Sequence, residues 1–336
     1  MIEKYQIACL QAAIEVIDDP AQKDAVIVRN IERALDIAEG AIIRDEARVV
    51  VLPEAFLQGY GHARTPEDWR AVCIEIPGAE TARIGAFAKK HQVYIAGAAY
   101  EQDPGWPGIW FTTGFFVGPS GDVELRYRKL HEHNVEGLIP NTSPADVLTE
   151  YVERYGDAAL FPVLDTQYGR LAVMVENDLN FFELSRILTF HGAEIILHPT
   201  SEENGPLAVP RDQARRSRAY ENLIYLASAN AGELVSKRRA AQAMRGCSAL
   251  VDYRGNFDAR IDGAGESVLV STIQLENLWS RRTEVFMNYR AQLKSEFFAN
   301  EYSKAIFLPV DTGPATRETL EAAIDRAQNQ RLLVSP

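Results

Sequence analysis

Cysteine is scarce in this chain: three residues in 336, at Cys9, Cys73 and Cys247. They are too few and too scattered for a disulfide framework, and none has metal-ligand spacing, so buried free thiols are the expectation for all three. Positive charge is also in short supply, with 35 Lys and Arg against 47 Asp and Glu and a formal charge of −12. That balance argues against nucleic acid or an anionic membrane as partner, because both require clustered cations. No stretch approaches the roughly 18 apolar residues of a membrane span. The amino terminus, Met-Ile-Glu-Lys-Tyr5, has neither a basic n-region nor a small-residue cleavage site, so a cytoplasmic location is expected. His131 and His133 flank Glu132 without a third ligand, and Gly118-Pro-Ser-Gly121 is a hairpin turn rather than a phosphate cradle. Neither a metal nor a cofactor is expected.

What is present is an ordinary globular composition, 46% hydrophobic and 24% charged. Runs rich in Val, Ile, Ala and aromatics predict strands at 5–13, 48–53, 93–99, 112–118, 122–127, 170–175, 194–198, 223–229, 247–252 and 267–272. Helical periodicity predicts helices at 22–45, 79–90, 182–191, 208–220 and 316–330. Turn chemistry marks hairpins at Gly118–Asp122 and Asp252–Asn256. The alternation implies an α/β fold of two sheets with helices outside. The longest irregular region, 131–160, reads as a lid or pocket wall. After about residue 279 an aromatic-rich helical stretch leads through Phe307-Leu-Pro-Val310 into a mixed-charge helix. The expected organisation is a domain over 1–278 and a C-terminal arm over 279–336.

Four segments carry chemistry. Gly169-Arg-Leu-Ala-Val-Met-Val-Glu176-Asn-Asp-Leu-Asn-Phe-Phe-Glu183 reads as a buried strand, a sharp polar turn and an amphipathic helix. Such an elbow holds a reactive side chain at a helix N-terminus, where free N–H groups favour negative charge. Val49-Val-Val-Leu-Pro-Glu54 with Gly59-Tyr60, Arg126-Tyr-Arg-Lys129-Leu-His131, and Glu136 seven residues beyond the lysine are the other three. Together, in this order, they resemble the nitrilase, or carbon–nitrogen hydrolase, superfamily, most closely its amidase-like branches. The resemblance extends over roughly residues 5 to 278. It implies an α-β-β-α sandwich, with Glu54 as general base, Lys129 as oxyanion stabiliser, Glu136 as the second glutamate of the amidase-like branches, and a nucleophilic cysteine at 176. It further implies a small-molecule substrate and a homo-oligomer, a dimer or higher, with the arm at the subunit interface. Here Glu176 stands where the family has its cysteine.

The departure changes the chemistry. In the resembled enzymes a thiolate attacks an amide or nitrile carbon and a thioester is hydrolysed. A carboxylate is a far weaker nucleophile, and its attack would give a high-energy anhydride. Cys247 is the best-placed rival thiol, because its strand lies near the pocket wall in the resembled family. If Glu54, Glu136 and Glu176 converge on the one ammonium of Lys129, at least one carboxyl is expected to hold a proton near neutrality. A protonated and an ionised glutamate then form an acid–base pair able to act without a covalent intermediate. The alternative is a non-catalytic protein that binds a small ligand or a partner subunit. Tyr60, His131, Asn177 and His198 are the expected substrate contacts. Asp178 reads as a helix N-cap, Arg211 to Arg218 as a solvated helix face, and Glu183–Arg186 and Arg218–Glu221 as surface pairs.

Overall fold

The computed structural model describes residues 1–61, 64–132, 141–206, 208–238, 242–286, 288–304 and 308–329. In chain order the strands are β1 Lys4–Gln11, β2 Ala13–Glu15, β3 Ala47–Glu54, β4 Tyr94–Glu101, β5 Phe111–Val117, β6 Val123–Arg128, β7 Leu164–Thr166, β8 Gly169–Val173, β9 Ile195–Thr200, β10 Tyr225–Asn230, β11 Glu233–Val235, β12 Gln242–Ala243, β13 Ala249–Val251, β14 Phe257–Arg260 and β15 Ser267–Gln274. The helices are α1 Lys23–Asp45, α2 Pro66–Val72, α3 Ala79–His91, α4 Leu148–Tyr155, α5 Phe182–Phe190, α6 Ala208–Asn222, α7 Leu275–Thr283, α8 Ser295–Tyr302 and α9 Arg317–Asn329.

Alternation along the strands builds two layers of core. Ile7 and Cys9 on β1, with Val49 and Val51 on β3, enter one apolar cluster with β8, β9 and β10. Their neighbours Ala8, Leu10, Val50 and Leu52 face the opposite way, into a cluster with Ile27, Ile31 and Ala38 of α1 and Ile84 of α3. A strand apolar on both faces must be covered on both. The first sheet therefore runs β15-β1-β3-β4-β5-β6 beneath α1 and α3, and the second runs β14-β13-β10-β9-β8-β7 beneath α5 and α6. The sheets pack face to face, giving the two sheets with helices outside that the element pattern suggested and the α-β-β-α sandwich that the family resemblance implied. A third, small sheet joins β12, β11 and β2.

Gly114 sets how closely the sheets approach. A Cβ there would lie 2.5 Å from Val173 Cγ1 and 3.1 Å from Val175 Cγ2, so only glycine lets β5 close onto β8. That approach brings the end of β6 towards the turn after β8. Within the sheets β1, β3 and β4 are parallel, as are β8, β9 and β10. In open α/β sheets functional groups gather at the carboxyl ends of such strands.

The region 131–160 is not irregular throughout, since its described part holds a 3-10 turn at Pro144–Val147 and α4. The division expected between 278 and 279 falls inside α7, which buries Leu275 and Leu278 in the inter-sheet core. Beyond it the chain leans on its own domain: Thr149 N–H and Oγ1 both donate to Asp311 at 2.8 Å, and Tyr302 Oη donates to Glu183 at 3.0 Å.

Candidate functional site

Three side chains meet where the two sheets end. Glu54 closes β3, Lys129 follows β6, and Glu176 starts the 3-10 turn Glu176–Asn180 after β8. Each is held by its own strand: Lys129 N–H donates to Thr112 O at 2.9 Å, and Met174 N–H donates to Leu197 O at 3.0 Å just before the elbow. Lys129 Nζ donates to Glu54 Oε1 at 3.0 Å and to Glu176 Oε2 at 3.2 Å. All three residues are buried. Glu176 has φ 39°, in the left-handed region that side chains other than glycine and asparagine seldom occupy. Such a conformation costs about 1–3 kcal/mol and persists only where the surroundings over-determine it.

The surroundings do so. His198 Nε2 donates to the Glu176 carbonyl at 3.1 Å, while its Nδ1 meets Ser228 Oγ at 2.9 Å. Arg215 Nε donates to the same hydroxyl at 3.0 Å, so the serine passes its own hydrogen to Nδ1 and the imidazole is neutral with its proton on Nε2. Burial, reinforced by the Arg215 charge, pushes His198 down to about 4. His198 is thus a brace for the elbow's backbone rather than a wall facing ligand, because both ring nitrogens are taken inside the protein.

Asp178 does not cap a helix. The helix after it begins with Phe181 at the cap position and no side-chain cap bond. Fully buried, Asp178 instead accepts Tyr127 Oη at 2.7 Å, His131 N–H at 3.0 Å and His131 Nδ1 at 2.8 Å. It ties the elbow to the segment that carries Lys129. Asn177 Nδ2 adds a bond to His131 O at 3.2 Å, and the His131 ring stacks on Phe181 with centroids 3.6 Å apart. Tyr60 lies nearby in sequence to Glu54 but donates to Glu203 at 2.7 Å. Glu136 and His133 lie outside the described residues.

The charges differ from the sequence-based picture in two ways. First, a third carboxylate reaches Lys129 from within its own segment: Glu132 Oε2 is 3.6 Å from Nζ, and the side chain is 2% exposed. Burial, partly offset by Lys129, pushes Glu132 up to about 7. Burial alone would depress Lys129, but Glu54, Glu132 and Glu176 hold it well above its ordinary value. Second, Lys129 is not the only cation. Arg211 Nη1 lies 2.5 Å from Glu176 Oε1, so the carboxylate is clamped between an ammonium and a guanidinium.

Arg211 belongs to the cluster expected to be a solvated helix face. Only part of that face is solvated, for Arg211, Arg215, Ala219 and Asn222 form a buried stripe along α6. Their spacing of four, four and three was the available signal, masked by assigning arginine to solvent. The stripe meets Glu202, which pairs with Arg215, with Arg245 at 2.7 Å and with Arg211 at 3.6 Å. These cations outweigh burial and pull Glu202 down to about 2. Of the two surface pairs expected, Arg218–Glu221 forms at 3.3 Å. Glu183 bonds Tyr302 instead, and Arg186 donates to Glu221 O.

All three cysteines are buried. Cys9 sits in the inter-sheet core, where burial pushes its thiol up to about 12. Cys73 Sγ meets Trp69 O at 3.3 Å, and Cys247 Sγ meets Arg260 Nη2 at 3.7 Å. Among the described residues no group of three or more His, Cys, Asp or Glu is arranged to hold a metal, and no helix is long and apolar enough to cross a membrane.

Comparison with known proteins agrees with this architecture. The family model for carbon-nitrogen hydrolases matches residues 6–283. Omega-amidase NIT2 of Homo sapiens is 26% identical over 275 residues, covering 82% of this chain and 93% of the relative. The Xenopus tropicalis protein of the same name is 25% identical over the same length. Among solved structures, Saccharomyces cerevisiae Nit3, a member of branch 10 of the nitrilase superfamily, matches with TM-score 0.68 and 20% identity over 87% of this chain and 97% of that one. An amidase from Nesterenkonia sp. matches with TM-score 0.64 and 20% identity over 90% and 98%. A variant of the amidase from Nesterenkonia sp. AN1, TM-score 0.60 and 20% identity over 88% and 96%, carries an acetamide moiety on its active-site cysteine.

Proposed function

Because the chain belongs to the carbon–nitrogen hydrolase family, we propose that it acts on an amide-like C–N centre of a small molecule, by acid–base chemistry that uses no cysteine. The residues assigned to the reaction are Glu54, Lys129, Glu136 and Glu176. One observation carries the reading: a single buried ammonium bridges the Glu54 and Glu176 carboxylates at 3.0 and 3.2 Å, at the meeting of two parallel-strand ends.

In this reading water replaces the thiolate. Glu54 takes a proton from it as it attacks the carbonyl carbon, and Lys129 stabilises the oxyanion as it forms. Glu176 is the fixed anion that holds Lys129 and Arg211 in place, with its backbone braced by His198. His131 and Asn177 shape the approach through the segment that Asp178 anchors, and Tyr60 contributes at the rim. The C-terminal arm, whose Val285, Phe286 and Phe297 stand 91%, 80% and 66% exposed, is assigned to the interface of a homo-oligomer. A cytoplasmic location belongs to the same reading.

The test is release of ammonia from small aliphatic amides and carbamoyl compounds, with and without iodoacetamide. Turnover that survives alkylation but is abolished in a folded Glu176→Gln variant is expected. Full activity in that variant refutes the mechanism. A second reading, a non-catalytic binding protein, is favoured by one feature: the Glu176 carboxylate already occupies both cations that would receive a substrate's oxygen. Ammonia release by Glu176→Cys alone, with a silent wild type, decides for it.

A further inference from the structure

We propose that Glu132 is the general acid of this site, the group that protonates the departing nitrogen. The inference rests on the acid–base reading above and names a residue outside its original four. Glu132 lies three residues beyond Lys129 and shares its ammonium with Glu54 and Glu176. Its two carboxyl oxygens are fully buried, and neither has a hydrogen-bond partner among the described residues. A buried carboxylate left so is far more costly than the neutral carboxylic acid. Asn141 lies beside it, donating to Thr112 Oγ1 at 2.7 Å, and its side chain favours the charged form of Glu132 too weakly to offset burial.

The groups that face Glu132 explain why it, among the three carboxyls, keeps the proton. Among the described residues Glu54 and Asp178 repel a further negative charge, Lys129 and the Asn141 side chain favour one, and the buried Tyr100 and Tyr127 phenols lie close enough to feel the carboxyl. Glu54 has Lys129, and Glu176 has both Lys129 and Arg211. Two cations thus balance two carboxylates, and a third carboxylate would be in excess.

The proton balance closes without an outside reagent. Water oxygen bonds to the carbonyl carbon as its proton passes to Glu54, and the carbonyl π pair moves to oxygen beside Lys129. The oxyanion then re-forms the carbonyl, the C–N bond breaks with its electron pair on nitrogen, and nitrogen takes the proton of Glu132. The products are a carboxylic acid and ammonia or an amine. Transfer of one proton from Glu54 to Glu132 restores the site.

A leaving group that departs without protonation separates this role from a structural one. The experiment compares acetamide and p-nitrophenyl acetate as probes for the wild type, Glu132→Gln, Glu132→Asp and Glu176→Gln. Glu132→Gln is expected to lower kcat for acetamide by about 10²–10⁴-fold with KM little changed, and to leave the ester rate near wild type. Wild-type acetamide turnover should fall as pH rises through about 7, and Glu132→Gln should lack that limb. Glu132→Asp should retain the limb at reduced rate. In the infrared, a protonated-carboxyl band present at pH 6 should disappear in Glu132→Gln. Parallel loss of both substrates, or an unchanged acetamide rate and pH limb, overturns the assignment to Glu132. Full acetamide turnover in Glu176→Gln, or none in the wild type, overturns the underlying acid–base reading instead.

Discussion

The clamp on Glu176 makes a quantitative demand. Replacing Arg211 by Met removes the guanidinium 2.5 Å from Glu176 Oε1 and 3.6 Å from Glu202 Oε1, in a place where all three residues are buried. Breaking a buried ion pair by deleting one partner costs about 3–5 kcal/mol, because the other charge stays desolvated. Glu202 keeps Arg215 and Arg245, so most of the cost falls on Glu176. In Glu176→Gln the loss should be smaller, about 1–3 kcal/mol, since Lys129 retains Glu54 and the amide oxygen still accepts. The double variant Arg211→Met/Glu176→Gln has no stranded carboxylate. Its destabilisation should therefore fall short of the sum by a coupling of about 1–3 kcal/mol. Urea unfolding followed by both tryptophan fluorescence and circular dichroism measures each corner, provided the two probes coincide. Additivity within about 0.5 kcal/mol would refute the claim that Arg211 is what makes a glutamate tolerable at the elbow.

Three further outcomes are expected. Glu202 falls from an ordinary 4.5 to about 2 in the folded chain, worth on the order of 3 kcal/mol at neutral pH, so the stability gap between wild type and Glu202→Gln should be constant above pH 5 and shrink as pH falls from 4.5 towards 2. His198 is buried neutral and drops from 6.5 to about 4, so the unfolded chain binds the extra proton between these values and wild-type stability should decline as pH falls from 6.5 to 4. His198→Gln should lose that slope in urea melts taken across the window; an unaltered slope contradicts the assignment. Tyr127→Phe removes the 2.7 Å bond to Asp178 and should cost about 1.5–3 kcal/mol, with amide exchange accelerated at His131, whose N–H shares that carboxylate.

Much of the fold was legible because its principal elements are long and regularly patterned. Central strands such as β1 and β3 are apolar on both faces, and α1 repeats Ile27, Ile31, Ala34, Ala38, Ala41 and Ile42 along one side before Glu46 ends it in a left-handed cap. Two helices outside the predicted set, α2 and α4, run only seven and eight residues, and α4 buries a single side chain, Tyr151. With so little buried surface, periodicity has nothing to report. At the site, Glu54, Lys129 and Glu176 were found because the segments that carry them resemble, in order, those of a known family. Glu132 was passed over because the two histidines beside it posed a metal question, and Arg211 because a run of arginines suggests solvent. Asp178 was misassigned for a different reason. Its position suits a cap, but Tyr127 and His131 come from another sheet, and no local rule sees across that distance.

These misses share a cause that also bears on how the site works. A thiol can be neutral when buried, so an elbow built for cysteine needs no counter-charge of its own. A glutamate there brings a fixed demand for one, and the Lys129 ammonium is already engaged by Glu54. The second cation comes from α6, whose Arg211 and Arg215 turn inward beside Glu202. Glu202 in turn gathers Arg245, and Arg215 holds Ser228, which orients His198 against the Glu176 carbonyl. Side chain and backbone of residue 176 are therefore governed by the same helix, through Arg211 on one side and Arg215 on the other. A cysteine at 176 would leave Arg211 with Glu202, 3.6 Å away, as its remaining carboxylate partner among the described residues. Glu176 at the elbow and the buried arginines of α6 thus form one electrostatic unit, which a change at either end alone would leave unbalanced.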